Sequence, residues 1–410
     1  MFNPHEKKIL AAVVASHGLD HLSELSFPAV ALLISREFFA SAEEYDRIGF
    51  AAFVAAFCFG VANLPSGRLV DRIGPRRVML LFLLGTGSAL IFVGLAPTYP
   101  LLVAALGLLG FFAGLYHPSG NTLISLGLRE HGQGMGFHGM GGNLGLALSP
   151  FITTALAEAL GWRGAYFALS APFFLLAVWV GRNRFETIPL APAAPAPRES
   201  EPAKARGYLL VPLALLFVIG TFNGLCYRGF MTFLPAYFSE SIHLSHSAKN
   251  ILLAGSLSTA VLLLGMGGQY LGGRLADRVS PAYLFAGIFL ASAPPLFALG
   301  RLADLPLLFA AGLFAFFYFA NQPVGNVLLV RFTSPAVRGR IFGMWFFVNF
   351  GIGSFMGWIA GEIGQRLELA SIFGVLALCL LGSGLAALGL GWATRGKTMP
   401  GVGNSAPETS

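Results

Sequence analysis

GRLVDRIGPRR at residues 67–77 and GRLADRVSP at 273–281 decide how this chain is read. Each is a short basic stretch set between long apolar runs, and the two lie about 206 residues apart. Near the same offset HPSGN (117–121) recurs as QPVGN (322–326), Asn143 as Asn349 and Gly145 as Gly351, and Phe137 nearly meets Phe342. HGLDHLSELSFP (17–28) aligns with NGLCYRGFMTFLP (223–235). Four matched blocks in one order make the chain a direct duplication. Parallel halves of an apolar chain place a solute site between them near mid-membrane, with rocking as the motion.

The composition agrees. Of 410 residues, 55% are hydrophobic and 11% charged, against about 25% charged in soluble domains. Mean hydropathy is +0.71. There is too little charge to cover the surface of a soluble enzyme, a disordered chain or a coiled coil. The net charge of +7 does not imply nucleic-acid binding, because the basic residues fall in the gaps between apolar runs. Cys58, Cys226 and Cys379 are far apart and form neither a disulfide framework nor a CxxC pair.

A helix crossing about 30 Å of hydrocarbon needs about 20 apolar residues. Twelve runs qualify, at 9–34, 47–66, 77–96, 100–127, 133–158, 162–181, 208–238, 249–271, 282–300, 306–330, 340–362 and 370–393. The first carries His17, Asp20, His21 and Glu24 and lacks an A-x-A site, so it reads as a retained span. The expected fold is an all-α membrane protein of twelve helices in two pseudo-symmetric six-helix bundles. These are an N-terminal bundle at 1–181 and a C-terminal bundle at 208–396. Between them the Pro/Ala-rich stretch 182–207 reads as a linker, and 397–410 as a disordered tail. With both termini and the even-numbered loops on one side, that side holds 19 of the 26 Lys and Arg. Six lie on the other side and only Arg228 inside a span. The expected orientation has termini and linker in the cytoplasm, in a plasma (inner) membrane.

Gly67 to Arg77 resembles the loop 2–3 signature of the major facilitator superfamily, and the second copy keeps Gly273, Asp277 and Arg278 at loop 8–9. SHGLDH in the first span, YHPSGNTLISLG in the fourth and GMGGNLGLALSP in the fifth resemble the fosmidomycin-resistance-type branch. The resemblance implies a latch on the cytoplasmic side, built on Asp71 and, less fully, Asp277. Gly67, Arg72, Arg76, Gly273 and Arg278 belong to the same gate, and Arg129, Arg331, Arg338 and Arg340 are the available partners. It also implies export of a small organic compound by proton antiport.

Inside the spans, polar groups are few and each has two readings. His17, Asp20, His21 and Glu24 stand at i, i+3, i+4 and i+7, one stripe of a helix. Their counterparts Asn223, Cys226, Tyr227 and Phe230 carry no charge, so the stripe belongs to one half only. It reads as a proton-coupling site, with a metal site or a solvated face as alternatives. Arg228 inside a span must face a wet cavity or a partner. It either meets an anionic substrate, beside Tyr227, or pairs with Asp20 or Glu24. His117, Asn121, His138, Tyr318, Asn321 and Gln322 are expected in the substrate cavity, each with interhelical hydrogen bonding as the plain alternative. Asn143 and Asn349 recur in both halves and are assigned to packing, as are the glycines from Gly134 to Gly145.

No GxxxxGK[ST] loop is present, so ATP does not drive this chain, and no cofactor is expected. A proton-coupled secondary transporter leads, with small-molecule substrate, protons and lipid bilayer as partners, no nucleic acid, and a monomeric state. Uptake of an organic anion by proton symport and transition-metal transport are the alternatives. The rival classes are an intramembrane enzyme, which needs no duplicated bundle with paired loops, and a solute receptor on a transporter fold, which is expected to carry a long cytoplasmic extension.

Overall fold

A computed structural model describes residues 2–41, 43–183, 203–243, 251–276, 278–333 and 335–395, with the backbone course alone for 131–132, 203–209 and 335–340. Asp277 and most of the linker and tail stretches lie outside the described residues. The described chain is helical, in twelve spans forming two six-helix bundles. Ten helices among the described residues are long and apolar enough to cross a membrane. One of these, His131–Arg182, holds the fifth and sixth spans, bent back at Gly161 with φ 70°. The first span is broken and more polar, as Pro4–Glu24 and Ser26–Phe39.

Prolines place the breaks. Pro28 has no N–H to give to Glu24 O, and the helix breaks at Leu25. Pro118 leaves Gly114 O without its helical donor, dividing the fourth span into Tyr99–Ala113 and Tyr116–Gly127. Its repeat Pro323 does the same to the tenth, Asp304–Phe319 and Asn321–Phe332. The eleventh span passes through a π turn at Phe347–Ile352, around Asn349. Polar groups therefore cluster at irregular backbone that lines the inside of the protein.

The second span (Tyr45–Ile73) packs on the eleventh, and the fifth on the eighth (Ile251–Ala276). The first pair touches backbone to backbone. A Cβ on Gly49 would overlap Gly357 O and Gly361 Cα, and one on Gly60 would overlap Gly351. Tyr45 N donates to Gln365 Oε1 at 2.8 Å, and Phe151 N to Thr259 Oγ1 at 3.2 Å. These ties lie toward the face opposite the termini. On the terminal side, Cβ atoms on Gly67, Gly136, Gly139 or Gly343 would meet nothing within 4 Å. Gly67, expected in the cytoplasmic gate, thus makes no close helix contact among the described residues. In the fifth span the glycine reading divides: Gly141 and Gly145 abut Val14 O and Gly18 O of the first span, while Gly136 and Gly139 face open space.

The Gly49 contact predicts a selective cost. Gly49→Val should destabilise by about 1–3 kcal/mol through overpacking, while Gly67→Ala should change the unfolding midpoint little. In a variant lacking the three native cysteines, Tyr45→Cys should react faster with an impermeant thiol reagent once Gly49→Val is added. Equal labelling rates would contradict this.

Candidate functional site

A cavity of about 440 Å³ lies between the bundles and runs from the level of His21 toward the terminal face. Residues from both halves form its wall. His17, His21, Asn121, His138 and Asn143 come from the first half, and Tyr227, Gln269, Tyr318, Asn321, Gln322 and Asn349 from the second. A larger hollow, about 760 Å³, lies among Pro294, Phe297, Arg301, Leu367 and Gly374, and shares no residue with this site.

The first-span stripe divides by depth. His17 and His21 reach the wall, and Asp20 is behind them, 1% exposed. Neither Asp20 oxygen has a hydrogen-bond partner; the nearest ionisable group is His117, with Nε2 3.5 Å from Oδ2. His17 Nδ1 donates to His138 O at 2.7 Å, and the two rings stack with centroids 3.9 Å apart. His138 Nε2 lies 2.9 Å from the Tyr116 hydroxyl, which donates to Val13 O. His117 stacks on Phe346 of the eleventh span, 5.5 Å between centroids, just behind the wall.

Glu24 lies behind the wall, against His21 and Tyr227. Its Oε2 lies 2.8 Å from His21 Nδ1, and its Oε1 accepts from Arg228 Nη2 at 3.0 Å and from the Tyr227 hydroxyl at 3.4 Å. Arg228 and Glu24 side chains are 4% and 7% exposed. Of the two sequence readings for Arg228, this geometry is the ion pair: the guanidinium is off the wall, and only Tyr227 beside it reaches the cavity. Breaking such a buried pair from one side leaves a charge stranded in a dry interior.

Asn143 and Asn349 also reach the wall. Asn143 Nδ2 donates to Gln269 Oε1 at 2.5 Å, and Gln269 Nε2 to Gln322 Oε1 at 2.8 Å, a chain of amides that crosses from one half to the other. Asn349 accepts from Asn223 Nδ2 at 3.0 Å and donates to Trp345 O. Tyr318 gives its hydroxyl proton to Asn223 O, and Asn321 donates to Tyr318 O. Sequence reasoning missed Gln269, Asn223 and Tyr116. Gln269 was visible as an amide within the apolar run 249–271, and Tyr116 as the neighbour of His117.

The gate residues stand apart from this cluster. Asp71 and Arg72 are exposed, and Asp71 makes no ion pair among the described residues. Gly74 takes φ 86° at the turn before the third span (Pro75–Leu95). Arg76 gives its guanidinium to Val180 O and Gly181 O at the end of the sixth span. It therefore ties the loop to its own half. Gly273 lies 3.7 Å (Cβ position) from Pro323, and Arg278 is exposed.

Residues 19–358 match the family profile of the Major Facilitator Superfamily. The chain belongs to that superfamily. It is similar to a nitrite extrusion protein of Bacillus subtilis (strain 168), 27% identical over 244 residues, 56% of each chain. It is also similar to a probable L-galactonate transporter of Escherichia coli (strain K12), 29% identical over 171 residues, 40% of this chain and 37% of that one. The chain thus spans about half or less of the length of these curated relatives. A bacterial homolog of the human lysosomal transporter Spinster, in an inward-facing and occupied conformation, shares the fold at TM-score 0.76. That match has 15% identity and covers 96% of this chain and 98% of the other. The chain is thus an all-helical, multi-pass member of the superfamily.

The buried pair of this superfamily member yields a test. Glu24→Gln should cost about 3–5 kcal/mol by leaving Arg228 unpaired. The double variant Glu24→Gln, Arg228→Met should recover most of that loss in the unfolding midpoint. Additive losses would show that the two side chains act independently.

Proposed function

We propose that this transporter exports a small organic compound in exchange for protons, by alternating access between the two bundles. The fosmidomycin-resistance-type branch is the reading its SHGLDH and YHPSGN segments support. Both termini face the cytoplasm, in a bacterial inner membrane, and the working unit is a monomer. The ties at Gly49, Tyr45 and Phe151 then close the outer side, and the cavity runs to the inside.

The observation that carries the coupling is Asp20. An ionised carboxylate with no partner is costly in a dry interior, yet both its oxygens lack one. A proton on Asp20 removes that cost, and His117 and the wall histidines His17 and His21 lie between it and the cavity water. Glu24 is paired with Arg228, so it positions His21 while Asp20 exchanges the proton. Export is also the direction in the name of the Bacillus relative. A transition metal as cargo is a second reading, favoured by ligand nitrogens of His17, His21 and His117 within 4.8 Å of one another.

In proteoliposomes, Asp20→Asn should lose at least about tenfold of pH-gradient-driven accumulation, while solute exchange at equal pH stays near wild type. Accumulation equal to wild type would remove Asp20 from coupling. Loss of activity with a chelator, and its return with one divalent metal, would establish the metal reading instead.

Among the described residues Asp71 has no ion pair, which suits a latch that closes only when the cavity faces outward; the side chains of Arg338 and Arg340 lie outside those described. Asp71→Asn should slow transport about tenfold with the membrane level of protein unchanged. Full transport rate in that variant would end the latch reading.

A further inference from the structure

We infer that the transported solute is uncharged and rich in hydroxyl or amide groups, with one flat apolar face, in the class of cyclic polyols, glycosides and nucleosides. This rests on the reading of the cavity as the transport site, and deepens it. Among the 22 described residues that line the cavity, none is Asp, Glu, Lys or Arg, and eight are Asn or Gln. The acidic and basic side chains nearby do not reach the wall. Arg228 faces Glu24, and Asp20 and Glu24 are behind the wall. The wall histidines are tied as well, His17 to His138 O, His21 to Glu24 and His138 to Tyr116. A carboxylate or phosphate entering here would lose water and meet no fixed cation. An ammonium ion would meet no fixed anion. Either is an unpaired charge in a poorly hydrated site.

An uncharged hydroxyl or amide finds what it needs. Each amide side chain has two donor hydrogens and an oxygen with two lone pairs. In the chain Asn143–Gln269–Gln322 each mutual bond uses one donor and one acceptor, so donors and acceptors of both kinds remain. A hydroxyl both donates and accepts, so it can insert into this chain without stranding a polar group. Because the chain spans both halves, a solute bound there touches both moving bodies.

The eleventh span supplies the other wall. Phe342, Trp345, Phe346 and Phe350 line the cavity, and Phe346 and Phe350 are near parallel at 17° with centroids 6.1 Å apart. That apolar side suits the C–H face of a ring, opposite amides that take its hydroxyls. The volume of about 440 Å³ lies in the lower part of the usual range for small-molecule sites, about 300–1,000 Å³.

The test is thermal unfolding of the full chain in lipid nanodiscs, since sugar-headed detergents would compete. Phenyl-β-glucoside, uridine and xylitol are compared with gluconate, benzoate, choline and tetraphenylphosphonium, all at one pH and one millimolar concentration. A ligand of the native state raises the midpoint by mass action. At least one uncharged probe should raise it while the anions and cations do not. Gln269→Glu should weaken that probe at least about tenfold, and Gln269→Leu should do so as well, which separates a loss of hydrogen bonding from a misfolded variant with a lowered ligand-free midpoint. The inference is overturned if only charged probes stabilise the protein, if no uncharged probe does, or if both Gln269 variants bind the uncharged probe as wild type does. The assay uses no gradient, so a failure of proton coupling leaves its result standing. Conversely, Asp20→Asn should keep the uncharged probe's shift.

Discussion

The Glu24 carboxylate, held by Arg228, His21 and Tyr227, is the interaction on which the interior depends. It joins the first span of one half to the seventh span (Ala203–Ser241) of the other, behind the cavity wall. Two charges buried this deeply are tolerated because each satisfies the other and neutral donors complete the carboxylate. One consequence is mechanical, since the pair adds to the backbone contacts that close the face opposite the termini. Another is electrostatic. With Arg228 satisfied by Glu24, the wall toward the solute carries amides, imidazoles and aromatic rings.

Helix breaks put those groups in place. Pro28, Pro118 and Pro323 each remove one helical hydrogen bond, and the breaks fall beside Glu24, His117 and Gln322. In lipid such irregular backbone survives only where protein or cavity water satisfies it. The bundle therefore turns each break inward, so that Gln322 lines the cavity while Glu24 and His117 sit just behind its wall. The π turn around Asn349 has the same effect in the eleventh span, bringing that amide to Asn223.

Two kinds of contact divide the labour between the halves. Glycine contacts of the second and eleventh spans leave no room for a side chain, so they hold the closed face by shape. The fifth and eighth spans meet on the cavity side through the Asn143–Gln269 bond, which can be exchanged for water or solute at little cost. Motion of one half on the other keeps polar groups satisfied when amides, rather than ion pairs, face the changing gap.

The fold was legible in the sequence, because a bilayer demands long apolar helices and a duplication shows itself as repeated blocks. The stripe His17, Asp20, His21 and Glu24 was legible too, since helical periodicity alone puts i, i+3, i+4 and i+7 on one side. Periodicity does not say what packs against that side. Only the tertiary structure decided that Arg228 faces Glu24, that Asp20 rests beside His117, and that His17 stacks on His138, because these partners come from other spans far along the chain. It also decided that Arg76 ties the loop to its own half, while Asp71 stands without an ion pair among the described residues. The absence of charge from the cavity wall was hidden for the same reason. Sequence shows which ionisable residues lie in the spans, and only packing shows that Arg228 and Glu24 pair, with Asp20, behind the surface a solute meets.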